Sequence, residues 1–154
     1  MTSTTSIFRL VLPMLLASCA SVQESKPLVA TTSHPQVVNY ALSLQGAPYR
    51  YGKDNPRDGF DCSGFVRHVY KKNGINLPHN AKDMALTLPE IPLQAITPGD
   101  LVFFDINGKA YSHVGIYIKN NNFIHAPSQR TGKVMVSNLN TPYWQKHFVG
   151  ARRP

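Results

Sequence analysis

Acidic side chains are scarce in this 154-residue chain: 8 Asp and Glu stand against 16 Lys and Arg, a formal net charge of +8. That balance disfavours cationic partners and fits anionic ones. The basic residues are scattered, and no nucleic-acid motif accompanies them, so no nucleic-acid partner is expected. Cysteine is rarer still, with Cys19 and Cys62 only. No close pair of the C-x2-C or H-x3-H kind is present, which argues against zinc, and neither a metal nor a cofactor is expected. Long apolar runs are missing too. The run Leu10–Ala17 falls far short of the roughly 20 residues a bilayer span requires. Internal repeats are absent.

What is present begins with the N-terminus. Residues 1–18 carry one basic residue, Arg9, then the short apolar run and a small-residue site, the pattern of a secretion signal. The site reads "LASC", Leu16 to Cys19, and resembles a bacterial lipobox, in which the cysteine is lipidated. Ordinary signal cleavage nearby is the alternative. Several acyl chains on Cys19 would anchor firmly, each buried CH₂ adding about 0.8 kcal/mol. Residues 19–36 then form the lipidated cysteine and a Ser-, Thr- and Pro-rich tether. Residues 37–154 form one domain with room for one core. Export makes anionic wall polymers and lipid headgroups the natural partners of a basic surface.

Within the domain, "QVVNYALSLQG" has a helical apolar period and ends at Gly46. Phe65, Val66, Val69 and Tyr70 share a helical face with Cys62, and Gly74 stops that helix. A short helix is expected within 77–88. Strands are expected over 101–105, 113–118 and 122–126, the last two joined by an Asn-rich turn, and again at "KVMVSNL". Helices first and closely connected strands after them predict an α+β fold with an antiparallel sheet.

With Cys19 lipidated, Cys62 is the one thiol of an exported domain, where disulfides are the norm. An unpaired cysteine there is either a small buried hydrophobe or a reactive group. In the first turn of a helix it meets free backbone N–H groups and the positive end of the helix dipole, which favour thiolate. Asp61 is a natural cap for that helix, although its charge opposes a low thiol pKa. A nucleophilic thiol needs a base and the base an orienting group. A hairpin turn centred on Asn120 would set His125 opposite Gly115 and diagonal to His113, bringing the two imidazoles to one face. His113 is then the base and His125 its orienter. His34, His68, His79 and His147 have no partner by spacing and are expected at the surface. Tyr143 and Trp144 are expected to pack against the C-terminal end of the domain.

The motifs "YRYG", "DCSGFVRHVY", "PGDLVFF", "SHVGIYI" and "FIHA" resemble the NlpC-like family of papain-fold peptidoglycan endopeptidases, often envelope lipoproteins. The "YWQK" and "ARRP" segments resemble its Gram-negative lipoprotein branch. The resemblance implies a papain-like fold with the nucleophile helix on a central antiparallel sheet. It also implies Cys62 as nucleophile, His113 as base and His125 as third member. Tyr49 would help hold the oxyanion, and Asp61 and Ser63 would border the substrate cleft. The chain departs from the family pattern where Lys53 follows Gly52 and where His79 follows Leu77-Pro78. The expected protein is a monomeric cysteine endopeptidase acting on peptidoglycan, lipid-anchored to the outer membrane and facing the periplasm. Its rivals are an inactive wall-binding lipoprotein and an amidase or acyltransferase with the same Cys–His site.

Overall fold

The computed structural model describes Met1 and residues 33–154; Cys19, the signal segment and nearly all of the tether lie outside the described residues. The domain opens with helix α1 (Pro35–Ser43), with proline in its first turn and Val37, Val38 and Ala41 buried. A two-stranded ribbon follows, β1 (Asp54–Asn55) with β2 (Gly59–Phe60), then helices α2 (Cys62–Lys72) and α3 (Ala81–Thr87). The remainder is strands β3 (Glu90–Ile91), β4 (Leu101–Ile106), β5 (Lys109–Lys119), β6 (Asn122–His125) and β7 (Met135–Asn138), helix α4 (Pro142–His147) and strand β8 (Phe148–Arg152). Among the described residues no helix is long and apolar enough to cross a membrane.

Six of the strands form one antiparallel sheet in the order β3-β8-β4-β5-β6-β7. The α+β, papain-like arrangement expected from the sequence is therefore the one observed. Helices α1, α2 and α3 bury Val37, Phe65, Val69 and Met84 in one core with Phe103, Val114 and Ile116. A second, smaller core of Val102, Phe104, Phe123 and Leu139 gathers Trp144 and Phe148.

The two-residue strands β1, β2 and β3 escape the sequence pattern, and so do α4 and β8. Strand β8 lies inside the sheet between β3 and β4, yet its segment ends in two arginines. Both are buried because the fold supplies their partners. Arg152 donates to Ala85 O at 2.8 Å and lies 3.5 Å from Glu90. Arg153 meets both oxygens of the fully buried Asp100 at 2.8 Å. A forked guanidinium on a buried carboxylate holds the chain end in place.

The β5–β6 hairpin reaches its register by a route the sequence does not display. Asn120 and Asn121 both have positive φ, 51° and 61°, as a two-residue type I′ turn requires. That turn pairs Lys119 with Asn122, a register that would put His113 and His125 on opposite faces. A bulge between Tyr117 and Lys119 shifts the pairing by one residue, so that Tyr117 faces Phe123 and Ile116 faces Ile124. The bulge, not a turn centred on Asn120, carries the two histidines to one face.

Candidate active site

Cys62 is the first residue of α2. Asp61 caps the helix, its Oδ1 accepting from Gly64 N at 2.7 Å while Oδ2 accepts from Gly52 N at 2.8 Å. One carboxylate thus fixes both the helix start and the loop in front of it. Gly64 is required by crowding: a Cβ there would lie 2.1 Å from Lys53 O and 2.9 Å from Asp61 Oδ1. Ser63 is buried, its hydroxyl 3.4 Å from Asp61 Oδ1.

The half-buried Cys62 sulfur rests on the backbone of β5 on either side of His113. It lies 4.0 Å from Ser112 O and takes a backbone hydrogen bond from Val114. His113 and His125 are both buried, and His113 Nε2 lies 2.7 Å from His125 Nδ1. Gly115 makes this approach possible, since a Cβ there would meet the Phe123 ring at 2.7 Å and His125 Cβ at 3.2 Å. Cys62, His113, Tyr49, Asp61 and Ser63 line a single cleft of about 1160 Å³, whereas His125 stands behind His113 and off the cleft wall. The fold thus brings together every site residue picked from the domain's sequence.

The electrostatics differ from the expectation of an activated thiolate. Burial and the Asp61 carboxylate push the Cys62 thiol up to about 11, outweighing the backbone hydrogen bonds that favour thiolate. Burial pulls His113 down to about 4 and, with the neighbouring ring, His125 well below its ordinary value. The pair therefore rests as neutral thiol and neutral imidazole. Burial, then the charges of Cys62 and Asp61, raise the Tyr49 phenol, which keeps its proton at neutral pH. A direct consequence follows for chemical labelling. At pH 7 the thiolate fraction of a thiol at about 11 is roughly 300-fold below that of an ordinary thiol at about 8.5. Iodoacetamide should accordingly modify Cys62 about two orders of magnitude more slowly than free cysteine, with a tenfold gain per pH unit from 7 to 9. A rate matching or exceeding free cysteine at pH 7, monitored by mass spectrometry, would overturn the neutral assignment.

Three of the four histidines expected at the surface are not there. His68 is half-buried, 3.0 Å from the Tyr40 hydroxyl. His147 donates from Nδ1 to Asp105 O at 2.6 Å, and His34 is half-buried with its side chain over Gly99. Only His79 is exposed, on the cleft wall. Trp144 packs in the second core beside Phe148, as expected, and together with the exposed Tyr143 it also lines the cleft. The Trp144 indole stacks on the His113 ring at 5.7 Å and 23° and meets His125 edge-on at 4.9 Å. Ser137, which no sequence signal singled out, puts its Oγ 2.9 Å from His125 Nε2.

Comparison with known proteins agrees with this architecture. The pattern of the NlpC/P60 family matches residues 46–153. A protein of Escherichia coli strain K12 named probable endopeptidase NlpC is 39% identical over 150 residues, covering 94% of this chain and 96% of its own length. Murein DD-endopeptidase MepH of the same strain is 41% identical over 121 residues, 75% of this chain, and this chain spans 44% of it. The bifunctional muramidase/DL-endopeptidase CwlT of Bacillus subtilis strain 168 is 40% identical over 119 residues, 76% of this chain and 35% of its own length. Among solved structures, a protein from Staphylococcus aureus subsp. aureus Mu50 described as similar to lipoprotein, NLP/P60 family, superposes with a TM-score of 0.72 at 36% identity, covering 81% of this chain and 44% of that one. With a pattern match across most of the domain and a relative aligned along nearly its whole length, the chain belongs to the NlpC/P60 family.

Proposed function

We propose that the protein is a cysteine endopeptidase that hydrolyses peptide bonds in peptidoglycan, with Cys62 as nucleophile, His113 as base and His125 as the group that supports it. The observation that carries this reading is the Cys62 sulfur seated on the β5 backbone at His113, in one cleft with a His113–His125 hydrogen bond behind it. The Cys62 proton passes to His113 as the sulfur attacks the carbonyl carbon, so the ion pair forms during the reaction and not before it. The Tyr49 hydroxyl and the Cys62 backbone N–H stabilise the oxyanion. Return of the proton from His113 to the leaving amine gives a thioester, which water hydrolyses with His113 again as base. Asp61, Lys82 and Lys109 on the cleft wall favour a substrate bearing both amine and carboxylate groups, as wall peptides do, over an acyl lipid.

The names of the relatives cover both DD- and DL-bonds. Digestion of purified muropeptides, with products weighed by mass spectrometry, assigns the bond in one experiment. Absence of any product from the wild type would leave a wall-binding module as the surviving reading. Cys19 belongs to this proposal as the lipid attachment site, placing the enzyme on the outer membrane facing the periplasm. Cys19→Ala is expected to shift the protein out of the membrane fraction or leave it unprocessed. A mature-size band that stays with the membranes would defeat the anchor.

A further inference from the structure

The hydrogen-bonded histidine pair continues beyond His125. Ser137 sits on β7 opposite Phe123, diagonal to His125, and its Oγ lies 2.9 Å from His125 Nε2. A line of polar atoms runs from His113 Nε2 through His125 Nδ1 and His125 Nε2 to Ser137 Oγ. The two rings are 5% and 0% exposed, and among the described residues no carboxylate hydrogen-bonds to either. The proton positions in this line must therefore be settled by the four polar atoms themselves.

Each neutral ring carries one N–H proton, and two arrangements complete the line. In one, His113 donates from Nε2 to His125 Nδ1, and His125 donates from Nε2 to Ser137 Oγ. In the other every bond is reversed, and the His113 proton sits on Nδ1. Only the first leaves His113 Nδ1 with a lone pair able to take the thiol proton. Once His113 has taken that proton, its Nε2–H needs an acceptor at His125 Nδ1, so His125 must carry its own proton on Nε2. That proton then needs an acceptor in turn, and Ser137 Oγ is the atom in place.

We propose that Ser137 is a positioning residue: by accepting the His125 Nε2 proton it holds His113 in the Nε2–H form with Nδ1 bare. This deepens the catalytic reading of Cys62 and His113 and rests on it. Ser137 is half-buried, so its own hydroxyl proton remains free to turn to water and leaves Oγ to accept from His125 Nε2. Neither Ser137 nor His125 lines the cleft, so Ser137 acts through the relay and not on substrate.

Nitrogen-15 NMR of the histidine rings tests this without substrate. Wild type should show His113 protonated on Nε2 and bare on Nδ1, and Ser137→Ala should move a substantial share of the proton to Nδ1. Muropeptide kinetics on Ser137→Ala should show kcat reduced about 10- to 100-fold with KM unchanged, and Ser137→Thr, which keeps the hydroxyl, should recover most of kcat. A wild-type His113 protonated on Nδ1 overturns the proposal. So does Ser137→Ala with the wild-type tautomer and kcat. If Ser137→Ala does not fold, the wild-type spectrum and the Thr variant still decide. Failure of the catalytic reading looks different: the tautomer shifts on Ser137→Ala as expected, while Cys62→Ser retains full hydrolysis.

Discussion

Cys62→Ser is expected to lower muropeptide hydrolysis by at least about 1,000-fold, because an alkoxide is far harder to form than a thiolate beside the same imidazole. With Cys62 at about 11 and His113 at about 4, the resting site holds no preformed thiolate, and all activation comes from proton transfer during attack. His113→Ala removes the acceptor for that proton and should cost about 10²- to 10⁴-fold. The double variant should be little worse than either single one, since groups that act as a unit do not add. His125→Ala should fall between wild type and His113→Ala, because His125 supports the base at 2.7 Å without forming bonds to substrate. Binding to intact sacculi should survive all of these changes, the cleft wall being otherwise intact. Retention of a tenth of wild-type hydrolysis by Cys62→Ser, measured by chromatography and mass spectrometry of the products, would remove Cys62 from the role of nucleophile.

The parts of this site that sequence reasoning reached are those carried by local pattern. The period from Cys62 through Phe65, Val66, Val69 and Tyr70 places the thiol at a helix start because helical spacing is a property of the segment itself. Val66 and Val69 are fully buried, as that face requires. The parts it missed depend on partners far away in the chain. Gly64 can be read from the sequence as keeping the turn uncrowded, but the atom it makes room for, Lys53 O, is supplied only by the fold. Strand β8 has no strand signal of its own to show, because the carboxylate that buries Arg153 is on Asp100, at the head of β4. Ser137 is one serine among many until β7 pairs with β6 and brings it to His125. The hairpin was legible for a reason that was only half right. Two asparagines mark the turn, but an odd register there is made even by a bulge that leaves no residue-type signature. The thiol's ionisation went the other way because burial, the larger cause, comes only with the folded cleft and adds to the opposing charge of the adjacent Asp61.

Acid should destabilise the fold through the same two histidines, over a window set by their burial. An unfolded histidine titrates at about 6.5, whereas buried His113 does so at about 4. Between these values the unfolded chain binds a proton that the folded chain refuses, so stability is full above about pH 6.5 and falls as the pH drops towards 4. Each pH unit of separation corresponds to about 1.4 kcal/mol, so His113 alone accounts for about 3 kcal/mol across the window. His125 is lowered as well, by burial and by His113, and adds to the same slope. Set against a typical domain stability of about 5–15 kcal/mol, this is a large share. Urea unfolding at pH 7.5, 6, 5 and 4.5 should show the decline, and His113→Gln, which keeps a polar side chain but does not titrate, should flatten it. Comparing slopes and not absolute stabilities removes the cost of the substitution itself and the background of titrating carboxylates common to both proteins. Equal slopes for wild type and His113→Gln below pH 6.5 would show that His113 is not held neutral by the fold, and the neutral resting pair would fall with it.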